Sequence, residues 1–411
     1  MDKIRLFCIS FLLICCLLFI GSVGVSAYEG YHSPVRVKIG SGSSASVTVT
    51  AGSYQVKNGS GTVISVLSGG GTASLTEGMT LSSLDGSGRF SYNGTEYRGD
   101  FTVAGGNAVN RLGMEEYLYS VVMKEIGGYS PGAEALKAQA IACRNYAYRK
   151  KESPRDVNYD LLSTTSDQAY GGYTAERYDT AVGYRVRGAV DATRDLVMYY
   201  DGALINAVYS ANAGGSTENA EIVWGGSYDY LKGIECPWDN YPFSGDAGTY
   251  VSMKMPTSSE WVYTISFADL TAKIPSVGTV TDVTVSHEGC VSDYARTVTV
   301  IGTSGSKTYT GTQFRSLLGL RSAAFDVAVG KSVAANRAMS LQYVSFDDFT
   351  AALSASGKML SIYGKGYGHG VGMSQWSACV MAYEGYTYDR ILNYFYNQNR
   401  NNGRLVIKQY Q

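Results

Sequence analysis

The stretch 116–126 reads EYLYSVVMKEI and decides how the centre of this chain folds. Four of its side chains recur at positions i, i+3, i+4 and i+7, namely Leu118, Val121, Val122 and Glu125. Residues at this spacing share one face of an α-helix. The pattern therefore predicts a helix whose apolar face carries a carboxylate.

The residues at both ends of this stretch favour the same helix. Glu115 and Glu116 would lie in its first turn, where the helix dipole stabilises negative charge. The pair Gly127-Gly128 follows, and glycine readily adopts the left-handed conformation that ends many helices. We therefore predict a helix over 116–126 with a left-handed stop at the glycine pair.

The carboxyl group of Glu125 has two interpretations. Burial penalises its charged form, so it would raise the pKa of the carboxyl and keep the proton that a general acid needs near neutral pH. Alternatively, Glu125 reaches solvent at a frayed helix end or pairs with a cation, because structural ion pairs also perturb carboxylates. The helix alone leaves both interpretations open.

The N-terminal residues have the features of an export signal. Lys3 and Arg5 precede an apolar run over residues 6–25, and small residues follow at 25–27. The run is also long enough to span a bilayer, so residues 1–27 are a signal peptide or an uncleaved membrane anchor. We expect the rest of the chain to be secreted to the cell wall or held on the outer face of the membrane.

The remaining residues alternate between strand and helix patterns, which predicts an α+β fold. Residues 28–107 are β-rich, with interleaved Val, Ile and Tyr side chains and a hairpin that turns at Asn93-Gly94. Central α-helices follow, and one of them is rich in alanine. A β-rich excursion at about 240–345 and C-terminal helices complete the part that spans 108–411.

Composition narrows the classes of partner. The chain has 34 Lys and Arg residues against 35 Asp and Glu residues, so its charge gives no reason to expect a nucleic acid. It has 34 tyrosines against 12 phenylalanines. A tyrosine has a flat apolar face and a hydroxyl, which suit a wet surface that grips sugar rings, although a tyrosine-rich sheet surface would have the same composition.

The stretch 364–376 reads GKGYGHGVGMSQW and has glycine at every second position as far as Gly372. Such a strip lets a ligand or another backbone approach closely. His369, followed by Ser374 and Gln375, would then form a polar ligand grip. The alternative is a tight structural turn that leads into a core helix.

The stretch 163–172 reads STTSDQAYGG and is the second polar cluster. Its hydroxyls, acid, amide and aromatic ring suit hydrogen bonds to sugar hydroxyls and stacking on a ring face. Ser, Thr and Asp also bond their own backbone readily, so a self-capped loop is the alternative.

Metal and thiol chemistry find little support in the sequence. None of the three histidines, His369 among them, combines with a cysteine in a typical zinc-ligand spacing. Four cysteines remain after export, and Cys143 and Cys379 lie in alanine-rich helical stretches that are typical of buried thiols. A Cys/His peptidase would need an accessible thiolate of low pKa, which cysteines in such core-like contexts do not provide.

The motifs together resemble the SpoIID/LytB family of sporulation and cell-wall proteins over nearly all of the exported part. The matching blocks, in chain order, are NRLGMEEYLYSVVMKE (110–125), EALKAQAIACRNY (134–146), TTSDQAYGG (164–172), YSANAGGSTE (209–218), YLKGIECPW (230–238), FRSLLGLRSAAF (314–325) and residues 364–396. Seven ordered blocks are far more specific than any one of them.

The resemblance implies a lytic transglycosylase of peptidoglycan. Such an enzyme cuts glycan strands between N-acetylmuramic acid and N-acetylglucosamine without water, leaves an anhydro sugar and favours strands without stem peptides. The central helices would form the catalytic cleft, and the catalytic glutamate of the family's VVxxE block corresponds to Glu125. The glycan would be bound by residues of the matching blocks: Gln139, Arg144, Asp167, Gln168, Tyr170, His369 and Gln375.

One departure from the family concerns metal. Some members have histidine where this chain has Ser210, with cysteine nearby, and hold zinc there. Because Ser210, Ala211 and Ala213 supply no such ligands, we predict neither a metal nor another cofactor.

The resemblance leaves a second function open, namely a non-catalytic glycan-binding protein that enhances an N-acetylmuramoyl-L-alanine amidase. A carboxyl on an apolar stripe favours the enzyme, because a pure binder does not need a buried proton. The expected partners are thus glycan strands and, in the second case, a cell-wall amidase. A membrane is a partner only if residues 1–27 are retained.

Overall fold

The computed structural model describes residues 33–127, 131–177, 179–240, 259–329 and 358–410. The predicted signal or anchor at 1–27 lies outside these ranges. The chain divides into two compact units. The first contains the chain up to Glu116 with Asp156–Ser163 and Gly172–Thr174, and the second contains Tyr117–Arg155, Thr164–Gly171 and Ala175–Gln411.

The first unit is built from two sheets. Its strands are β1 (Val35–Ser41), β2 (Ser44–Ala51), β3 (Ser53–Lys57), β4 (Val63–Ser68), β5 (Thr72–Thr76), β6 (Thr80–Ser83), β7 (Arg89–Tyr92), β8 (Thr95–Arg98), β9 (Asp100–Ala104), β10 (Asn107–Leu112) and β11 (Leu161–Leu162). One sheet has the order β11-β1-β10-β9-β6-β3-β4, and the other has the order β5-β2-β7-β8. The pairing is antiparallel except between β1 and β11.

Alternation of side chains explains why these residues form half-buried strands. Along β2, Ala45, Val47 and Val49 are buried, and the residues between them are more exposed. The hairpin predicted at Asn93-Gly94 joins β7 to β8, with positive φ angles of 49° and 78° at its two residues. This geometry matches the right-handed twist of the flanking strands and confirms the predicted turn.

Helices follow the first ten strands and alternate with short sheets. Those of the described residues are α1 (Met114–Glu125), α2 (Ala133–Glu152), α3 (Gly172–Glu176), α4 (Ala181–Ala192), α5 (Ala220–Trp224), α6 (Phe267–Lys273), α7 (Gly311–Leu318), α8 (Gln375–Tyr383) and α9 (Tyr388–Asn397). Among these residues, none of the helices is both long and apolar enough to cross a bilayer.

The described residues of the second unit form four small sheets. Its strands are β12 (Leu196–Tyr200), β13 (Ala203–Leu204), β14 (Tyr209–Ser210), β15 (Glu260–Ser266), β16 (Val280–Ser286), β17 (Thr297–Gly302), β18 (Gly305–Thr310), β19 (Ala324–Val329), β20 (Met359–Lys365), β21 (Met373–Ser374) and β22 (Leu405–Gln409). The strand orders are β13-β12-β22, β14-β21, β15-β20-β19 and β16-β17-β18.

The alanine-rich helix α2 lies at the centre of the second unit. It contacts α4, α8, α9 and β12, and its alanines are almost all buried. Small side chains let these neighbours approach closely, so the helix can be surrounded on several sides. The β-rich N-terminal part, the central and C-terminal helices and the later strands agree with the predicted α+β class.

Helix α1 differs from the prediction at both ends. It begins at Met114, two residues earlier than predicted. Gly127 has no positive φ, and the N–H of Ile126 still donates to the carbonyl of Val122 at 3.1 Å. The predicted left-handed stop is therefore wrong at Gly127, because helical bonding continues past Glu125. Gly128 lies outside the described residues.

Candidate active site

The carboxyl group of Glu125 lies in the last turn of α1. Leu118, Val121 and Val122 are fully buried, which confirms the predicted apolar stripe. Glu125 continues that stripe but is only half-buried. The carboxyl group therefore lies where the buried stripe meets the surface and keeps part of its area exposed.

The second polar cluster of the sequence is bound to this helix. The backbone N–H of Ala169 donates to Oε1 of Glu125 at 2.8 Å. One turn earlier in the helix, Oγ of Ser120 accepts from the N–H of Gly171 at 3.0 Å. Two side chains of α1 thus hold the loop 164–171 in place.

The glycine-rich stretch supplies the third component. Ser374 caps α8, where its hydroxyl accepts from the N–H of Ser377, and this fixes the first helical residue, Gln375. Nε2 of Gln375 donates to Oε2 of Glu125 over a long 3.5 Å. The structure therefore brings residues from three distant motifs to a single carboxyl group.

Burial raises the pKa of Glu125 above its usual 4.5. The hydrogen bonds from Ala169 and Gln375 and the charge of Lys124 oppose this shift, but desolvation is the larger effect. Its carboxyl therefore retains its proton to a higher pH than an exposed glutamate does.

Gln168 is fully buried and connects the groups beside Glu125. Its Oε1 accepts from the Tyr117 hydroxyl at 3.0 Å. Its Nε2 donates to the Tyr209 hydroxyl at 3.0 Å and to the Cys143 carbonyl at 3.3 Å. Both ends of its amide are engaged by the protein, which suits a supporting role, and its role as a glycan ligand stays a prediction.

These supporting groups remain neutral near Glu125. Burial raises the pKa of Tyr117 and Tyr209 well above the usual value, and the nearby charge of Glu125 adds to both shifts. Burial also raises the pKa of the Cys143 thiol to about 12. A thiolate nucleophile at this position is therefore disfavoured. Tyr117 and Tyr209 lie in the matching blocks 110–125 and 209–218, but no feature of those blocks pointed to these two side chains.

Gln139 and Tyr170 pack around the same network. Nε2 of Gln139 donates to Sγ of Cys143 at 3.2 Å, and its buried Oε1 has no hydrogen-bond partner among the described residues. The ring of Tyr170 packs against that of Tyr117 with centroids 5.3 Å apart. Both residues therefore contact members of the network around Gln168, namely Cys143 and Tyr117.

Arg144 and Asp167 have partners of other kinds. The fully buried guanidinium of Arg144 donates to the carbonyls of Leu196 and Val190 at 3.0 and 3.4 Å. This contact holds α2 against the turn between α4 and β12, so the expectation that Arg144 lines a glycan cleft finds no support. Its position inside a helix did not reveal which carbonyls it would reach.

The carboxylate of Asp167 lies within a group of cations. Oδ1 is 2.9 Å from Nζ of Lys150 and 3.1 Å from Nη2 of Arg155. It also accepts from the Tyr146 hydroxyl at 3.0 Å. Such neutralisation suits a structural ion pair better than a second catalytic carboxylate.

The imidazole of His369 is held by backbone on both sides. Nδ1 accepts from the N–H of Val371 at 3.1 Å, and the ring also bonds to the backbone of Tyr209. Burial lowers its pKa to about 4, and the charge of Arg315 adds to the shift. A neutral ring that bonds the backbone of Val371 and Tyr209 favours the alternative of a tight structural turn over a polar grip.

Asp239 is a buried carboxylate that the sequence did not single out. Its Oδ1 accepts from the hydroxyls of Ser374 and Ser377 at 2.5 and 2.7 Å. Its Oδ2 accepts from the N–H groups of Ala213 and Gly215 at 2.8 and 3.3 Å. Asp239 thus fixes the start of α8, and with it Gln375.

The position where some SpoIID/LytB members hold zinc does not fit a metal here. Ser210 is buried and its Oγ has no hydrogen-bond partner within the described ranges, but a lone hydroxyl flanked by alanine at 211 and 213 is not a zinc donor set. Across the ranges that the structure describes, no group of three His, Cys, Asp or Glu side chains could hold a metal ion. The absence of a cofactor stays a prediction.

Comparison with known proteins adds to this geometry. The SpoIID family model, described as "Stage II sporulation protein", matches residues 103–200, a range that contains Glu125, Gln139 and Gln168. An uncharacterized protein of Brachyspira hyodysenteriae is 30% identical over 338 residues, which cover 78% of this chain and 75% of that protein. The chain belongs to the SpoIID family.

Two relatives of this SpoIID family chain have names that describe a role. Stage II sporulation protein D of Bacillus subtilis (strain 168) is 29% identical over 302 residues, which cover 70% of this chain and 74% of that protein. The protein named amidase enhancer of the same organism is 27% identical over 280 residues, but these cover only 37% of its length and 64% of this chain.

Proposed function

We propose that this member of the SpoIID family is an exported cell-wall protein that cleaves peptidoglycan as a lytic transglycosylase. The proposed bond is the MurNAc–GlcNAc linkage in strands without stem peptides, and the proposed product has 1,6-anhydro-MurNAc ends. The half-buried, proton-retaining carboxyl of Glu125 is the observation that carries the proposal.

Glu125 is the proposed general acid. Its proton passes to the bridging glycosidic oxygen while positive charge develops at C1 of the muramic sugar, and the C1–O bond breaks. The resulting carboxylate then accepts the proton of the C6 hydroxyl of the same sugar, whose oxygen bonds to C1. One carboxyl group therefore serves both steps, because the nucleophile belongs to the substrate.

The partners of Glu125 suit both of its protonation states. The N–H of Ala169 and the amide of Gln375 each donate to the carboxylate, so they stabilise the charge that forms after the first proton transfer. Burial works in the opposite direction: it favours the protonated form and so favours uptake of the C6 hydroxyl proton in the second step. The balance of the two effects keeps the pKa high enough for an acid without preventing ionisation.

The amidase enhancer of Bacillus subtilis supports a second candidate. In it, the chain binds glycan without cutting it and stimulates an N-acetylmuramoyl-L-alanine amidase. Residues 1–27 would direct either protein to the cell wall or anchor it to the outer face of the membrane.

Mass spectrometry of glycan products tests the proposal. Purified protein is incubated with peptidoglycan strands from which stem peptides have been removed. We expect new 1,6-anhydro-muramic ends with the wild type and none with Glu125→Gln, because the amide cannot donate the proton. Glu288→Gln, a change at an exposed glutamate, is the matched control and should cleave as the wild type does.

Other products would contradict the proposal in different ways. Reducing ends would mean hydrolysis, which normally needs a second carboxylate. Asp167 would then be the first candidate for that carboxylate. Strand binding without cleavage, together with stimulation of an added amidase, would establish the second candidate instead.

A further inference from the structure

Trp224 is the most exposed of the four tryptophans of this chain. Its ring is 47% exposed, whereas Trp261 and Trp376 are each 4% exposed and Trp238 is half-buried. A large apolar ring that is left in water at the end of a helix is an unusual use of this residue. Its surroundings show that it is held there firmly.

The imidazole of His369 supports the ring of Trp224. The two ring centroids are 4.9 Å apart, with an angle of 57° between the planes. His369 is itself fixed by the backbone of Val371 and Tyr209, as described above. The tryptophan therefore rests on a neutral aromatic base that cannot turn freely.

The helix that carries Trp224 is tied to the same glycine-rich stretch. Immediately before α5, the N–H of Glu218 donates to the carbonyl of Gly370 at 2.7 Å. The buried carboxylate of Glu218 accepts from the N–H of Val291 and from the N–H and hydroxyl of Ser292. Both rings thus belong to a single braced arrangement, and little conformational entropy remains to be lost when a ligand binds.

The side chain of Tyr209 links this arrangement to Glu125. Its backbone bonds to the ring of His369, while its hydroxyl bonds to Gln168 and lies close enough to Glu125 to feel its charge. The Trp224 ring is therefore linked to the surroundings of Glu125 through His369 and Tyr209. Both groups thus belong to one network of contacts within the second unit.

Polar groups lie close to Trp224 in the sequence. One turn away on α5, Glu221 forms an ion pair with Lys232, whose ammonium group also donates to the hydroxyl of Ser227. A flat ring accompanied by polar groups suits a sugar, which has an apolar C–H face and polar edges. A stable protein partner would need a larger apolar patch.

We propose that the exposed face of Trp224, braced by His369, is a sugar-binding subsite that stacks on one ring of the glycan strand away from the bond at Glu125. This inference rests on the proposed function for the identity of the strand. It also assigns His369 a positioning role through its ring rather than through its nitrogens.

Glycan binding by inactive protein tests this subsite. The background is Glu125→Gln, so the strands are bound but not cut, and the probe is a set of peptide-free glycan strands. We expect Trp224→Ala to weaken binding roughly tenfold, in line with the loss of one aromatic contact. Trp224→Phe should recover most of this affinity, because it retains a flat ring.

Tryptophan fluorescence supplies the second measurement. Addition of strands should shift the emission of the Glu125→Gln protein, and the shift should disappear in Trp224→Phe, in which only the less exposed tryptophans remain. Tyr184→Ala removes another exposed aromatic ring and is the matched control, which should bind normally. Circular dichroism melting checks that each variant is folded.

The outcomes separate this inference from the proposed function. Equal affinities of the Trp224→Ala variant and its parent would overturn the subsite, even if the wild type cleaves glycan. Loss of amidase binding without loss of glycan binding would also overturn it and would identify a protein contact. Trp224-dependent binding by a wild type that does not cleave would leave the subsite intact and refute the transglycosylase proposal.

Discussion

Glu125 and Asp239 are both carboxyl groups that burial pushes towards the protonated form, yet their surroundings differ. Glu125 is half-buried and accepts one good hydrogen bond, from Ala169, and one long one, from Gln375. Asp239 is buried and accepts four hydrogen bonds, two of them from backbone N–H groups. The pKa of each is raised, with desolvation as the main cause.

The difference separates a reactive group from a structural one. Every acceptor position on Asp239 is directed at a donor of the protein, so the group holds two segments together and has no capacity for a ligand. Glu125 keeps part of its surface and part of its hydrogen-bonding capacity unused. A high pKa alone would not distinguish the two, whereas the count of donors does.

Replacement of Glu125 by glutamine should have the largest effect. The amide cannot protonate the glycosidic oxygen, so we expect cleavage to fall by at least about a hundredfold, the usual contribution of a general acid. The fold should be retained, because the amide still accepts the N–H of Ala169. Product formation is followed by mass spectrometry, and cleavage at the wild-type rate would remove Glu125 from the mechanism.

Asp239→Asn should act on stability. The amide nitrogen would face donors that need an acceptor, so we expect the free energy of unfolding to fall by about 3 kcal/mol. Urea denaturation measures this change, with Asp179→Asn at an exposed position as the control. If the stability were unchanged while cleavage vanished, the assignment of structural and reactive roles would have to be reversed.

Gln375→Ala should have a smaller effect on the rate and a diagnostic effect on its pH dependence. The hydrogen bond from Gln375 favours the ionised form of Glu125, so its loss should raise the pKa further. We expect kcat to fall by no more than roughly tenfold, since the bond is long, and the alkaline limb of the pH–rate profile to move to higher pH. A shift to lower pH would contradict this role.

The smallest expected effect is the change in the pH dependence of stability when Glu125 is replaced by glutamine. Because the folded pKa of Glu125 lies above its usual 4.5, the native state binds more protons than the unfolded state between these two values, and stability falls as pH rises through this window. Glu125→Gln removes this loss, so the variant should melt at a higher temperature than the wild type above the window and not below it. Melting curves from pH 4 upward measure the difference, and a constant difference across pH would argue against a raised pKa.

Regular periodicity made several elements predictable. The stripe of Leu118, Val121 and Val122 predicted α1 and its buried face, because a helix places such residues together whatever surrounds them. Asn93-Gly94 predicted a hairpin, because its two residues tolerate positive φ. These patterns depend on local geometry and therefore survive in any tertiary context.

Side chains whose partners lie far away were not predictable in the same way. Arg144 was expected beside a glycan, but its guanidinium reaches carbonyls about fifty positions along the chain. His369 was expected in a polar ligand grip, but its ring bonds the backbone of Val371 and Tyr209. No sequence pattern pointed to Asp239, because its hydrogen-bond donors come from two segments that only the fold brings together.

The helix that carries Glu125, the alternating strands and the family membership could all be predicted, since they follow from spacing between near neighbours and from ordered motifs. Which polar side chains the protein itself binds, and which keep hydrogen-bonding capacity for a ligand, follows instead from the three-dimensional packing. Whether a buried carboxyl, amide or imidazole can act on a ligand depends on how many protein donors and acceptors reach it in space, and no local pattern records that number.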